Sequence, residues 1–350
     1  MKKVHVSKNL FNVILLFISV SIIVYFCIHN NNLLTLINSF GTLNPFWLLA
    51  AIVFVGLNWA IDSRIIFDIA QIMYKDKYSL RDSFKVTMVG QYFNSVSPFA
   101  IAGQPMQALT LSRQGLPTGV AISILVRKFL IYQTTLTFYS LAVIIFKFSF
   151  FTQKFSMFMY LAIVGFFFQS AIVILLFLFY KNRSFTTKLI NWFFHLLYKV
   201  HLVKNPTENS KKVETQLSFY LNNNKAMDKK RKTTYKLYFL TFIQLTCMFI
   251  IPFFIYKAFN NPGFPVIDMI SAQSFVTMIA AFTPLPGGSG TCESSFVIIF
   301  NIFFADSIIK PAMLLWRFLT YYSCIILGSP FALLENKKQK ISINANPSPV

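Results

Sequence analysis

Apolar runs of membrane-spanning length alternate along this chain with short polar stretches that carry most of its lysine and arginine. Leu10 to Ile28 is the first run, long enough to cross a hydrocarbon core of about 30 Å at about 1.5 Å per helical residue. It exceeds the usual apolar region of a signal peptide and has no small-residue cleavage site, so it reads as an uncleaved helix. Phe46 to Ile61 is the second, continuing past Arg64. Gly119 to Phe146, Phe155 to Tyr180, Leu237 to Phe259 and Pro311 to Leu334 follow.

Two further apolar segments are interrupted. Val266 to Glu293, resumed by Phe296 to Phe304, contains Pro284, Pro286, Gly287, Gly288 and Gly290 and closes on Glu293. Phe84 to Thr110 contains Asn94, Pro98, Gly103, Gln104 and Gln107. Proline removes a backbone donor and glycine weakens helical order, so both segments break. At membrane depth a broken backbone survives only where protein or a water-filled cavity satisfies its polar groups. Each segment therefore reads as a re-entrant hairpin, and paired breaks in the two halves of a membrane chain point to a transport site. Aligned on Ser97-Pro98-Phe99 and Thr283-Pro284-Leu285, units 46–146 and 237–334 form an inverted repeat. The predicted fold is an all-α polytopic membrane protein of six full spans and two hairpins, or eight spans if the hairpins cross. Residues 1–340 form one integral domain, with a cytoplasmic basic loop at 181–236 and a disordered tail at 341–350.

Charge sets the expected topology. Residues 181–236 carry 13 Lys/Arg against Glu208, Glu214 and Asp228, whereas 29–46 carry no charge. The positive-inside rule then places both termini and the 181–236 loop in the cytoplasm. Within that loop, Leu189 to Val203 reads as an aromatic helix lying in the interface. Lys229-Lys230-Arg231-Lys232 reads as a topology determinant first and a site for anionic lipid headgroups second.

Composition agrees. Of 350 residues 55% are hydrophobic and only 12% charged, about half the usual soluble share. The net charge of +21 sits between apolar spans, so it points to anionic headgroups rather than nucleic acid. Four cysteines and four histidines show no ligand spacing, so no metal or other cofactor is expected.

The candidate chemistry is sparse: no nucleophile–base pair and no pair of catalytic carboxylates stands out. Arg127 and Arg317 each lie about two turns into a span, and intramembrane charge marks functional candidates. Two readings stay open: a guanidinium fork gripping a lipid phosphate, or side chains snorkelling to the interface. Lys128, beside Arg127, reads as a snorkelling neighbour. Glu293 could receive a cationic headgroup, relay a proton, or cap the helix beginning near Ser294. Asn94, Gln104 and Gln107 are its neutral counterparts in the first hairpin.

Gly90-Gln91-x-Phe93-Asn94, Pro98-Phe99, Gly103-Gln104-Pro105-x-Gln107, the Arg127 helix and Pro284-x-Pro286-Gly287-Gly288-x-Gly290-x-x-Glu293 together resemble the flippase-like transmembrane family. This is the membrane region of lysylphosphatidylglycerol synthases, the multiple peptide resistance factors, and the resemblance covers residues 10–334. It implies a multi-pass protein of the bacterial cell membrane. The implied activity is movement of an aminoacylated or otherwise modified phospholipid between leaflets, which in that family protects against cationic antimicrobial peptides. Two departures stand out. Many relatives carry an arginine where this chain has Gln104 to Gln107. Full-length synthases also continue into a soluble acyltransferase domain, for which this chain has no room. The expectation is thus a translocase rather than an enzyme. The alternatives are a phosphatidylglycerol lysyltransferase, alone or with a separate synthase partner, and a small-solute transporter.

Overall fold

The expected break at residue 97 follows a helix whose start is equally well marked. The computed structural model describes residues 41, 43–74, 78–154, 156–181, 230–281 and 285–333. The expected span at Leu10–Ile28, the interfacial helix at 189–203, the tail at 341–350 and Pro284 lie outside these residues. Helix α1 (Pro45–Met73) opens on Asn44, whose side chain accepts from the Phe46 amide at 3.0 Å, with proline in the first turn. Helix α2 (Leu80–Val96) opens on Ser79, whose hydroxyl accepts from the Asp82 amide at 3.1 Å. It stops at Ser97 because Pro98 follows. A 3-10 turn over Pro98–Ala100 leads into α3 (Gly103–Arg113). Two long helices come next, α4 (Thr118–Lys154) and α5 (Ser156–Lys181).

The second half repeats the plan. Helix α6 (Arg231–Phe249) and the short α7 (Ile251–Ala258) together span a membrane's thickness, with the joint at Ile250 just before Pro252. Helix α8 (Val266–Ala280), a 3-10 turn over Pro286–Gly288 and α9 (Thr291–Phe300) form the second hairpin. Helix α10 (Asp306–Arg317) passes through a π turn at Phe318–Tyr322 and continues as one apolar helix to Leu333.

Three contacts fix the relative direction of the halves. The Asn44 amide donates to the Ala258 carbonyl at 2.8 Å, the Asn58 amide to the Gln244 carbonyl at 3.1 Å, and Lys236 pairs with Asp68 at 2.7 Å. As one residue number rises the other falls, so α1 and α6–α7 are antiparallel. The ends of α1 and α7 from which the hairpins depart therefore lie at opposite ends of the bundle. Hairpins α2–α3 and α8–α9 enter from opposite ends, and their 3-10 turns touch. The four arms hold 17, 11, 15 and 10 residues, each short of the roughly 20 a full crossing needs. The six-span-plus-two-hairpin plan thus fits the described residues better than eight crossings.

Two apolar clusters hold the bundle. One stacks Phe296 on Phe300 and Trp316, at centroid distances of 4.3 and 4.8 Å, beneath α7 and α8. The other joins Ile65, Ile66, Ile69, Leu111, Ile124 and Leu237 at the opposite end. Phe138, Phe146 and Phe167 point outward from α4 and α5, a surface suited to lipid. The chain is an all-α, multi-pass membrane protein, with no strand among the described residues.

The run that begins at Phe46 continues past Arg64 as expected, as helix to Met73, because Asp62, Ser63 and Asp68 find partners inside the bundle. Two points differ from expectation. The helix after the second break begins at Thr291, three residues before Ser294. The two 3-10 turns open on Pro98 and Pro286, so the repeat registers Pro98 with Pro286 rather than with Pro284.

Candidate functional site

Where the two turns meet, the bundle holds a partly open cavity of about 540 Å³. Its wall comes from both halves: Asn94, Gln104 and Gln107 of the first hairpin, Gln273, Thr277 and Gly287 of the second, and residues of α1, α4, α6 and α10. Seven side-chain amides face it.

The first hairpin is closed by its own polar residues. Asn94 Oδ1 accepts from the Gly103 amide at 3.0 Å, so closely that a Cβ on Gly103 would fall 2.1 Å from that oxygen. Gln107 Nε2 donates to the Val86 carbonyl at 3.2 Å. Asn94 and Gln107 therefore hold the arms together as well as lining the cavity. Gln104 is exposed beside them.

The second hairpin is held by Arg317. Its Nη1 donates to the Gly287 carbonyl at 3.0 Å, and its Nε lies 2.8 Å from Glu293 Oε1 as an ion pair rather than an aligned hydrogen bond. The guanidinium also lies over the Trp316 and Tyr321 rings at 5.0 and 5.3 Å. Glu293 Oε2 accepts from the Gly290 amide at 2.6 Å, which closes the start of α9. Gly287, Gly288 and Gly290 adopt φ of 59°, 63° and 83°, a turn that side-chain-bearing residues resist. At Gly287 the approach is tighter still: a Cβ would sit 2.1 Å from the Tyr321 ring. Tyr321 in turn donates to the Ser95 carbonyl at 3.0 Å, tying α10 to the first hairpin.

The two arginines, alike by position in the sequence, part company. Arg317 lines the cavity, whereas Arg127 is buried in α4 away from its wall. Lys128 faces the cavity instead. Its Nζ reaches Asp62 Oδ2 at 2.7 Å, and that carboxylate also accepts from Thr87 Oγ1 and Gln244 Nε2, both at 3.0 Å. Glu293 lies behind the wall, 1% exposed. Pro98 and Pro286 open the two turns. Asp62, Gln244, Gln273 and Trp316 were not singled out from the sequence. The available signal was an acid, Asp62, one residue past the apolar run ending at Ile61 and 66 positions from a lysine inside another span.

A family model for the lysylphosphatidylglycerol synthase TM region matches residues 12–328. A UPF0104 membrane protein of Archaeoglobus fulgidus is 25% identical over 325 residues, 87% of this chain and 89% of that protein.

Proposed function

The chain belongs to the lysylphosphatidylglycerol synthase TM region family, and from that membership we propose that it is a lipid translocase. It moves an aminoacylated or otherwise modified phospholipid between the leaflets of the cell membrane, with the basic loops on the cytoplasmic side. The observation that carries this reading is the polar cavity at the contact of two hairpins that enter from opposite ends. A headgroup needs polar lining to leave water, and its acyl chains can stay in lipid outside apolar helix faces. The turns form a septum between the two sides, and rearrangement around it would expose the headgroup first to one leaflet and then to the other.

Reconstitution into proteoliposomes tests the proposal. A fluorescent phospholipid should appear in the opposite leaflet faster than in protein-free vesicles, and equal rates would overturn it. A small hydrophilic solute is the second reading, favoured by the charged Asp62–Lys128 pair in the cavity wall. Protein-dependent release of an encapsulated solute without lipid movement would select it.

A further inference from the structure

A second opening lies on the flank of the bundle, where α1, α2 and the end of the α10 helix meet. It is an open groove of about 460 Å³ with an apolar lining from Ala60, Leu80, Phe84 and Phe331. Phe84 and Phe331 meet edge to face at 5.9 Å, and Phe84 is still 37% exposed. Ser63 also lines the groove but adds no free donor, because its hydroxyl is spent on the Trp59 carbonyl at 2.7 Å. The remaining polar groups of the lining are two cations, Arg81 and Lys85.

Depth along the bundle separates the cations from the apolar wall. Thr87 of α2 bonds Asp62 of α1 at 3.0 Å, so the two share a level, with Ala60 and Ser63 close to it. Arg81 precedes Thr87 in α2 and stands about 9 Å nearer the end where that helix begins. The half-exposed Arg64 and the Asp68–Lys236 pair mark the same end. From Pro45, at the opposite end of α1, to Arg64 the helix rises about 29 Å, close to a hydrocarbon thickness of about 30 Å. The cations therefore stand at headgroup depth, and the apolar wall reaches in among the acyl chains. Charge at that depth is unbalanced. Lys85 and Ser79 donate to the two Asp82 oxygens, at 3.0 and 2.7 Å. Arg81 is exposed and has no ion-pair partner among the described residues.

We propose that this groove binds an anionic phospholipid of the leaflet at that end, the cytoplasmic leaflet in the topology proposed above. The Arg81 guanidinium donates two parallel hydrogen bonds to the phosphate, and one acyl chain lies along Phe84 and Phe331. A zwitterionic phospholipid carries the same phosphate but brings its own cation, which competes with Arg81. Lipid held here lies against α2, whose Gly90, Gln91 and Asn94 line the central cavity. The groove and that cavity share no lining residue, so the site stands whether or not the protein moves lipid.

Photo-crosslinking in proteoliposomes tests the site. Phosphatidylglycerol and phosphatidylcholine, each with a diazirine at the same position of one acyl chain, are diluted in turn into unlabelled phosphatidylcholine vesicles. Adducts are mapped by peptide mass spectrometry and normalised to folded protein. The phosphatidylglycerol probe should label residues 80–85 and Phe331 at least about tenfold more than the choline probe, the value of one hydrogen bond to a charged group. Arg81→Gln should bring the two probes level. Arg81→Lys should keep only part of the difference, because an ammonium cannot form the fork. Ala60→Trp, which fills the groove without touching the charge, should also cut labelling by phosphatidylglycerol. Arg81 and Ala60 are exposed, so the variants should unfold at the wild-type temperature. Equal labelling by the two probes, or a phosphatidylglycerol excess that survives Arg81→Gln, would make the groove ordinary lipid-facing surface and overturn the proposal. A fall in unfolding temperature that accounts for the lost labelling would make Arg81 a structural residue and overturn it as well.

Discussion

Asp62 and Lys128 carry the clearest expectation for single side chains. A buried ion pair broken on one side leaves a charge without a partner, a loss of about 3–5 kcal/mol, whereas replacing both partners is far milder. Asp62→Asn and Lys128→Met should each lower the unfolding temperature of the detergent-purified protein well below that of the double variant. Equal losses in all three would show that the pair does not act as a unit. Arg317 and Glu293 form a second unit. A helix cap alone is worth about 1 kcal/mol. Glu293→Gln also sets an amide against Arg317, so unfolding measurements should register a loss well beyond that figure. Arg317→Lys should lose stability too, because a point charge cannot serve two carbonyls and a carboxylate. Arg127→Lys should transport lipid near the wild-type rate, since Arg127 stands away from the cavity. That asymmetry was hidden in the sequence. Spacing gives both arginines the same depth, but which face of α4 looks inward depends on how it packs on α1, and that phase chose Lys128. Asp62 was missed because its partners Lys128 and Gln244 lie 66 and 182 positions away and meet it only on folding.

Among elements, the hairpins were the most legible. Proline and glycine at that density break a helix in any setting, and an apolar neighbourhood leaves few ways to satisfy the broken backbone. Their boundaries fell within a few residues of those observed. What patterning could not supply is what each turn touches, because Tyr321 over Gly287 and Ser95 joins residues more than thirty and two hundred positions apart. That contact makes a prediction about the septum. Gly287→Ala adds a methyl where the ring already lies and strains a left-handed backbone, so it should reduce both folded yield and transport. Tyr321→Phe removes one hydrogen bond, about 1 kcal/mol, and keeps the ring in place. It should fold normally, and an equal defect in both variants would mean that packing at the turn does not govern transport. The π turn after Arg317 had no sequence signal at all. It inserts an extra residue into the helix at the cavity wall, where such turns tend to occur.

For the whole molecule, the antiparallel packing of α1 on α6–α7 predicts a labelling pattern. A single cysteine at Asn261, after α7, and one at Arg81, at the start of α2, lie at opposite ends of the bundle. In a chain stripped of native cysteines, position 261 should label from outside intact cells and position 81 only after permeabilisation. Labelling of both from one side would reverse the assignment of the hairpins. Charge distribution suggested this topology, since lysine and arginine are densest in one set of loops, although Lys147, Lys257 and Lys310 stand at the opposite end. The cavity was not readable, because its amides are scattered over five helices and become neighbours only on folding.

The contact of the two turns also has an electrical consequence. A translocase must carry its headgroup past that contact, and the membrane voltage acts on any net charge that crosses with it. That is worth about 2.3 kcal/mol per unit charge per 100 mV. A potassium diffusion potential applied to the vesicles would therefore drive a lysyl headgroup strongly in one direction. It would leave a headgroup without net charge moving at the same rate under either polarity.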